Sequence, residues 1–147
     1  MIDLDHLSAF YRSKHVLITG GSGYIAWNLI EKLQQLDCLI TCISRDISKI
    51  DIRNAGAQFR FIETGYHDLS VLQDAVQGID VIFHLASQTS VYVAEQDPLM
   101  DYEANVRPMQ LLLEACRVTN TRPVIVYSGT STQCGICLLY TSPSPRD

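Results

Sequence analysis

The stretch HVLITGGSGYIA, from His15 to Ala26, decides how this chain folds. Val16 to Thr19 is a short apolar run with the look of a strand buried inside a parallel sheet. Glycines follow at positions 20, 21 and 23. A helix then opens at Tyr24 and runs to about Leu36, with Leu29, Ile30, Leu33 and Leu36 as its apolar stripe. Two spacings fit a dinucleotide turn: Gly21, Gly23 and Ala26 match G-x-G-x-x-G/A, and Gly20, Gly23 and Ala26 match G-x-x-G-x-x-A after a Thr. The first glycine permits a tight turn, the middle one lets a diphosphate approach the backbone, and the small third residue lets the helix pack on the strand. Free N–H groups and the dipole at the helix start favour an anion. Gly20, Gly23, Tyr24 and Ile25 are therefore candidate cofactor contacts, the last two through backbone N–H groups, with their side chains packed.

Leu39 to Ser44 (LITCIS) reads as the second strand, whose end in this kind of fold meets the adenosine ribose. An acidic residue there suits the free 2′-hydroxyl of NAD, whereas an Arg suits the 2′-phosphate of NADP. Ser44 is followed by Arg45 and then Asp46. A guanidinium pairs with a phosphate dianion and a serine hydroxyl can donate to it, so NADP is favoured over NAD. The alternative has Arg45 as a solvated loop residue, with NAD bound and Asp46 helping.

Composition bounds the rest. The chain has 147 residues, 47% of them hydrophobic, enough to bury the core of one domain. A net charge of −5 with scattered Lys and Arg argues against a nucleic-acid partner. No apolar run approaches the roughly 18 residues of a membrane span. Asp3 and Asp5 stand where a signal peptide would carry Lys or Arg, so a cytoplasmic location is expected. The five cysteines include one C-x-x-C, Cys134 to Cys137, and lack the paired spacing of a zinc site, so no metal is expected.

Along the chain, residues 1–14 form a lead-in, with Leu4, Leu7, Phe10 and Tyr11 at helical spacing. Phe59 to Glu63 is a third strand. Ser70 is the expected cap of a short helix to Gln77 that Gly78 stops. Val81 to Leu85 (VIFHL) is the fourth strand, in which His84 reads as a packed histidine with a backbone partner. Asp97-Pro98 starts a long helix, bent at the internal Pro108. Pro123 to Tyr127 is the fifth strand, and the hydroxyls of Ser128 to Thr132 gather past its end, where ligands bind in open α/β sheets. The fold class is α/β, a Rossmann-like doubly wound parallel sheet cut off after about the fifth strand.

These motifs, in this order over roughly His15 to Gly135, resemble the extended short-chain dehydrogenases/reductases, often called NAD-dependent epimerases/dehydratases. TGGSGYIA is similar to that family's cofactor loop, with Ala26 in place of its usual last glycine. Asp68-Leu69 resembles its adenine-contacting pair, and His84-Leu85-Ala86-Ser87 its H-x-A-A signature, which adds Leu85, Ala86 and Ser87 to the cofactor contacts. Tyr102 to Val106 resembles its Y-x-x-N-V segment, whose Asn, here Asn105, braces the active site. Pro108 stands where the family commonly has Gly. Aligned on Gly135, Thr130 matches the hydroxyl that binds the substrate's reacting oxygen and is the one candidate catalytic residue. The resemblance implies hydride transfer between NAD(P) and a nucleotide sugar in an intact parent, expected to be a homodimer. Readings kept beside it are a small-carbonyl reductase of the flavonoid-reductase-like branch, which Arg45 suits, and a non-catalytic dinucleotide sensor.

The family's base is a Tyr with a Lys four residues on. None of the seven tyrosines here has that Lys, so this chain is expected to be inactive as it stands. Residues 137–147, CLLYTSPSPRD, resemble a transposase-type sequencing adaptor read in frame, and two prolines in a polar, aperiodic tail agree with a segment that packs nowhere. The expected division is thus a lead-in at 1–14, an incomplete NAD(P)-binding domain at 15–136, and a non-native tail at 137–147.

Overall fold

The computed structural model describes residues 4–46 and 58–129. Five strands form within them: β1 His15–Thr19, β2 Leu39–Ser44, β3 Phe59–Glu63, β4 Val81–His84 and β5 Val124–Tyr127. All neighbours are parallel and the order is β3-β2-β1-β4-β5. The chain therefore leaves β1 toward one edge, returns to the centre and fills the other side. The switch lies between β1 and β4, where the loops following the two strands diverge and leave a crevice at the carboxyl edge.

Side-chain alternation sorts the core into two layers. Val16, Ile18, Ile40 and Cys42 face α2 (Tyr24–Leu33) and bury its Ala26, Ile30 and Leu33, with Tyr11 of α1 (Leu4–Tyr11) against them. Leu17, Ile43 and Ile82 face the other way, onto α3 (Leu69–Ala75) and α6 (Arg107–Val118), through Leu72, Ala75, Leu112, Ala115 and Cys116. Register aligns Ile43, Thr19, His84 and Tyr127 in one row across the sheet's carboxyl end. β1 and β2 are apolar on both faces because helices cover both.

Several boundaries depart from expectation. α2 ends at Leu33, and Leu36 packs on the core from the turn beyond it. Asp68, not Ser70, is the N-cap of α3: its carboxylate accepts from the Ser70 and Val71 N–H groups. The chain enters the helix two residues earlier than expected, so the Ser70 hydroxyl donates to the capping carboxylate instead of capping. α3 ends at Ala75, and Gly78 takes the left-handed φ of +70° just past it. The single long helix from Asp97 is two pieces, α5 (Pro98–Asn105) and α6, and a further short helix, α4 (Val91–Gln96), precedes them. Asp97 caps α5 by accepting from Met100 N–H, as expected. Pro108 sits in the first turn of α6, where a missing N–H removes no helical bond, so it starts a helix instead of bending one.

Candidate functional site

Gly20 has φ +75°, and a Cβ there would lie 2.7 Å from Ala86 N and 2.8 Å from Ala86 Cα. Only glycine fits between the end of β1 and the segment after β4. Of the two spacings, the structure selects the one that begins at Gly20. Gly23 then donates to the Gly20 carbonyl at 2.8 Å, and a Cβ on Gly23 would meet that oxygen at 3.1 Å. The turn closes tightly and delivers the chain into α2 with its first-turn N–H groups lacking intrahelical acceptors.

Tyr24 and Ile25 stand at this helix start, but their side chains do not pack: they are 81% and 65% exposed. Ala26, one position on, is the residue that turns inward. Helix geometry explains the correction, since the buried stripe runs through Ala26, Ile30 and Leu33 and leaves the first two positions facing out.

Beside the loop lies a cleft of about 370 Å³. Gly20, Gly23, Ser44, Arg45, Leu85, Ala86 and Ser87 all line it, so seven of the residues expected at the cofactor meet here. Ser44 is nevertheless buried, and its hydroxyl donates to Ser22 Oγ at 3.0 Å, with the Asp46 carbonyl at 3.3 Å. Its one proton is engaged internally, which leaves Ser22, itself on the cleft wall, as the exposed hydroxyl beside Arg45.

Asp68 and Leu69 are not on this wall. The Asp68 carboxylate caps α3 and also takes the Ser70 hydroxyl at 2.7 Å, and Leu69 packs toward the core. Hydrogen bonds from Ser70 hold the Asp68 pKa below its ordinary value. The wall contains Gly65, Tyr66 and His67 instead. Nothing in the sequence singled these out: Tyr66 adopts φ +63°, a conformation that a bulky residue rarely takes and sequence gives no sign of.

Under the crevice, Thr19 ties β1 to β4. Its Oγ1 accepts from the N–H groups of Leu85 and Ala86, both at 3.2 Å. Its Oγ1 also bonds His84 Nδ1 at 2.9 Å, in a direction set by the imidazole tautomer. The partner of His84 is thus the threonine hydroxyl and not backbone, and its Nε2 finds no hydrogen-bond partner among the described residues. Burial, at 2% exposure, lowers its pKa below the ordinary 6.5, and its ring stacks on Tyr127 at 5.9 Å.

Asn105 falls on a second cleft of about 540 Å³, together with Ser87, Tyr127 and Ser128. There it clamps Gln88 at both backbone groups, accepting its N–H at 2.7 Å and donating to its carbonyl at 3.0 Å, while Asp101 accepts from the Asn105 amide at 3.0 Å. These bonds hold the loop after β4 against α5. Thr130, and with it the rest of the hydroxyl run beyond Gly129, lies outside the described residues, as does the segment 137–147. Among the described residues no group of three or more His, Cys, Asp or Glu could hold a metal, and no helix is long and apolar enough to cross a membrane.

Sheet order and crevice together define a doubly wound, Rossmann-like α/β protein. The chain belongs to the NAD dependent epimerase/dehydratase family, whose model matches residues 16–143. It is 31% identical over 121 residues to D-erythronate dehydrogenase of Haemophilus influenzae, covering 78% of this chain and 37% of that one. It is also 31% identical over 126 residues to CDP-paratose 2-epimerase of Salmonella typhi, covering 79% of this chain and 36% of that one. Among solved structures, the UDP-Glc/GlcNAc 4-epimerase of Campylobacter jejuni superposes with a TM-score of 0.75 at 25% identity, over 84% of this chain and 39% of the other. The UDP-glucose-4-epimerase of Stenotrophomonas maltophila with bound NAD does so with a TM-score of 0.73 at 26% identity, over 81% and 38%. The chain therefore spans less than two fifths of the length of each of these four proteins.

Proposed function

We propose that this chain is the NAD(P)-binding part of an epimerase, dehydratase or reductase acting on a nucleotide sugar or a related carbonyl or alcohol. The observation that carries the reading is the left-handed Gly20, wedged against Ala86 at the switch point, beside a cleft of about 370 Å³. A Cβ would fill that space, so the loop is built for backbone to approach a bulky anion. The residues fit the group: Gly20 and Gly23 form the turn, Tyr24 and Ile25 offer first-turn N–H groups, and Leu85 to Ser87 form the far wall. When bound, the cofactor supplies or accepts hydride. The chain's own residues hold and orient it, and Asn105 fixes the loop between the two clefts.

Arg45 at the end of β2, next to the Ser22 hydroxyl, favours NADP over NAD. The test is a pair of titrations, NADPH and NADH, on the wild type and Arg45→Ala. Tighter binding of NADPH is expected, with about tenfold lost in the variant and NADH little changed. Tighter NADH binding in the wild type, or equal losses for both, contradicts the NADP preference. Thr130 is proposed to orient the substrate's oxygen in the intact parent. No Tyr with a Lys four residues on is present to move the proton, so this chain is proposed to bind dinucleotide without turning it over.

A further inference from the structure

Tyr66 is a residue that no motif points to, yet it bonds Gly20, whose Cβ position is blocked by Ala86. Its side chain is 7% exposed and crosses beneath the loop. The Gly20 N–H donates to Tyr66 Oη at 2.7 Å, and the Tyr66 hydroxyl donates to the Ile43 carbonyl at 2.8 Å. That same carbonyl also receives Gly20 N–H at 3.0 Å and Gly21 N–H at 3.2 Å. Three segments meet in this knot: the glycine turn, the end of β2, and the loop between β3 and α3. Burial pushes the phenol's pKa up to about 12, so it stays a neutral donor throughout the usable pH range.

Two backbone oddities sit at either end of this bond. Gly20 is left-handed at φ +75° and Tyr66 at φ +63°, and a non-glycine residue holds such a conformation only when its surroundings over-determine it. Here the phenol's two hydrogen bonds help to do so. Gly20 is in turn wedged against Ala86, so the placement of Tyr66 reaches the far wall of the cleft.

We propose that Tyr66 is a positioning residue for the diphosphate, fixing the glycine turn through its backbone N–H and coupling it to the loop that carries Gly65 and His67. This rests on the dinucleotide reading. The phenol's two hydrogen bonds go to backbone, at Gly20 and Ile43, so it governs how well the turn is pre-formed.

The test is Tyr66→Phe, which keeps the ring and removes the oxygen. Wild type and variant are titrated with ADP, NADPH and adenosine. Losing the two hydrogen bonds is expected to weaken ADP and NADPH by about fivefold to tenfold and leave adenosine unchanged, because only the first two carry a diphosphate. Amide exchange at Gly20 and Gly21 is expected to accelerate several-fold without ligand, while the far-ultraviolet dichroism stays that of the wild type. Equal affinity for ADP in the two proteins, or equal losses for ADP and adenosine, overturns the positioning role. A wild type that binds neither ADP nor NADPH overturns the dinucleotide reading itself. The hold on the turn is then decided by the exchange rates, and unchanged exchange at Gly20 and Gly21 overturns that too.

Discussion

Among single residues, Thr19 and His84 carry the clearest pH signature. The Thr19 hydroxyl already accepts two N–H donors and bonds His84 Nδ1, so a protonated imidazole would present a third donor to that oxygen. Around the ring stand Thr19 from β1 and the stacked Tyr127 from β5, and among the described residues no carboxylate compensates the charge. Burial lowers the folded pKa below the ordinary 6.5, so the unfolded chain binds the proton more tightly. Stability from this residue is full above the unfolded pKa and drains away as pH falls through 6.5 toward the folded value. His15, whose pKa burial also lowers, acts in the same direction. Thermal midpoints measured from about pH 7 to about pH 5 should fall in the wild type and fall less in His84→Gln; parallel curves would show that His84 does not titrate on unfolding. The sequence led to a packed histidine here. It could not show which partner, because Thr19 lies 65 residues away and only β-sheet register brings the two side by side.

Helix ends show what local reading can and cannot reach. Strands β2 and β3 have the bounds expected from their apolar or alternating runs, since such runs have few other uses in a soluble domain. The helix caps were harder. Ser70 and Asp68 are both good capping residues two positions apart, and the choice depends on where the backbone turns into the helix. Asp68→Ala should lower the melting temperature by a few degrees, while Ser70→Ala should lower it less. Pro108 decides between one bent helix and two. As an interior proline its replacement by Ala would stabilise the fold by about 3 kcal/mol. In the first turn of α6 it costs nothing to keep, so Pro108→Ala should change unfolding free energy by less than about 1 kcal/mol. Denaturant unfolding of the variant separates the two.

For the molecule as a whole, the glycine turn, the strand order and the crevice form one argument. Doubly wound topology sends the chain away from β1 and β4 in opposite directions, and the ligand site follows from that divergence before any side chain is considered. This is why the fold and half of the site were legible from HVLITGGSGYIA and the strand-helix beat. The wall formed by Gly65, Tyr66 and His67 was not. It depends on a left-handed tyrosine whose phenol reaches a glycine 46 residues earlier, a contact with no spacing rule behind it. The central claim is that the chain holds a dinucleotide at the Gly20 turn, and the most direct measurement is a calorimetric titration with NADPH of the wild type and of Gly20→Ala. The account predicts saturable binding at one site in the wild type. It predicts loss of that binding in the variant, whose Cβ would meet Ala86 at 2.7 Å on a strained φ of +75°. Absence of saturable binding in the wild type, or undiminished binding in a folded Gly20→Ala, would contradict it.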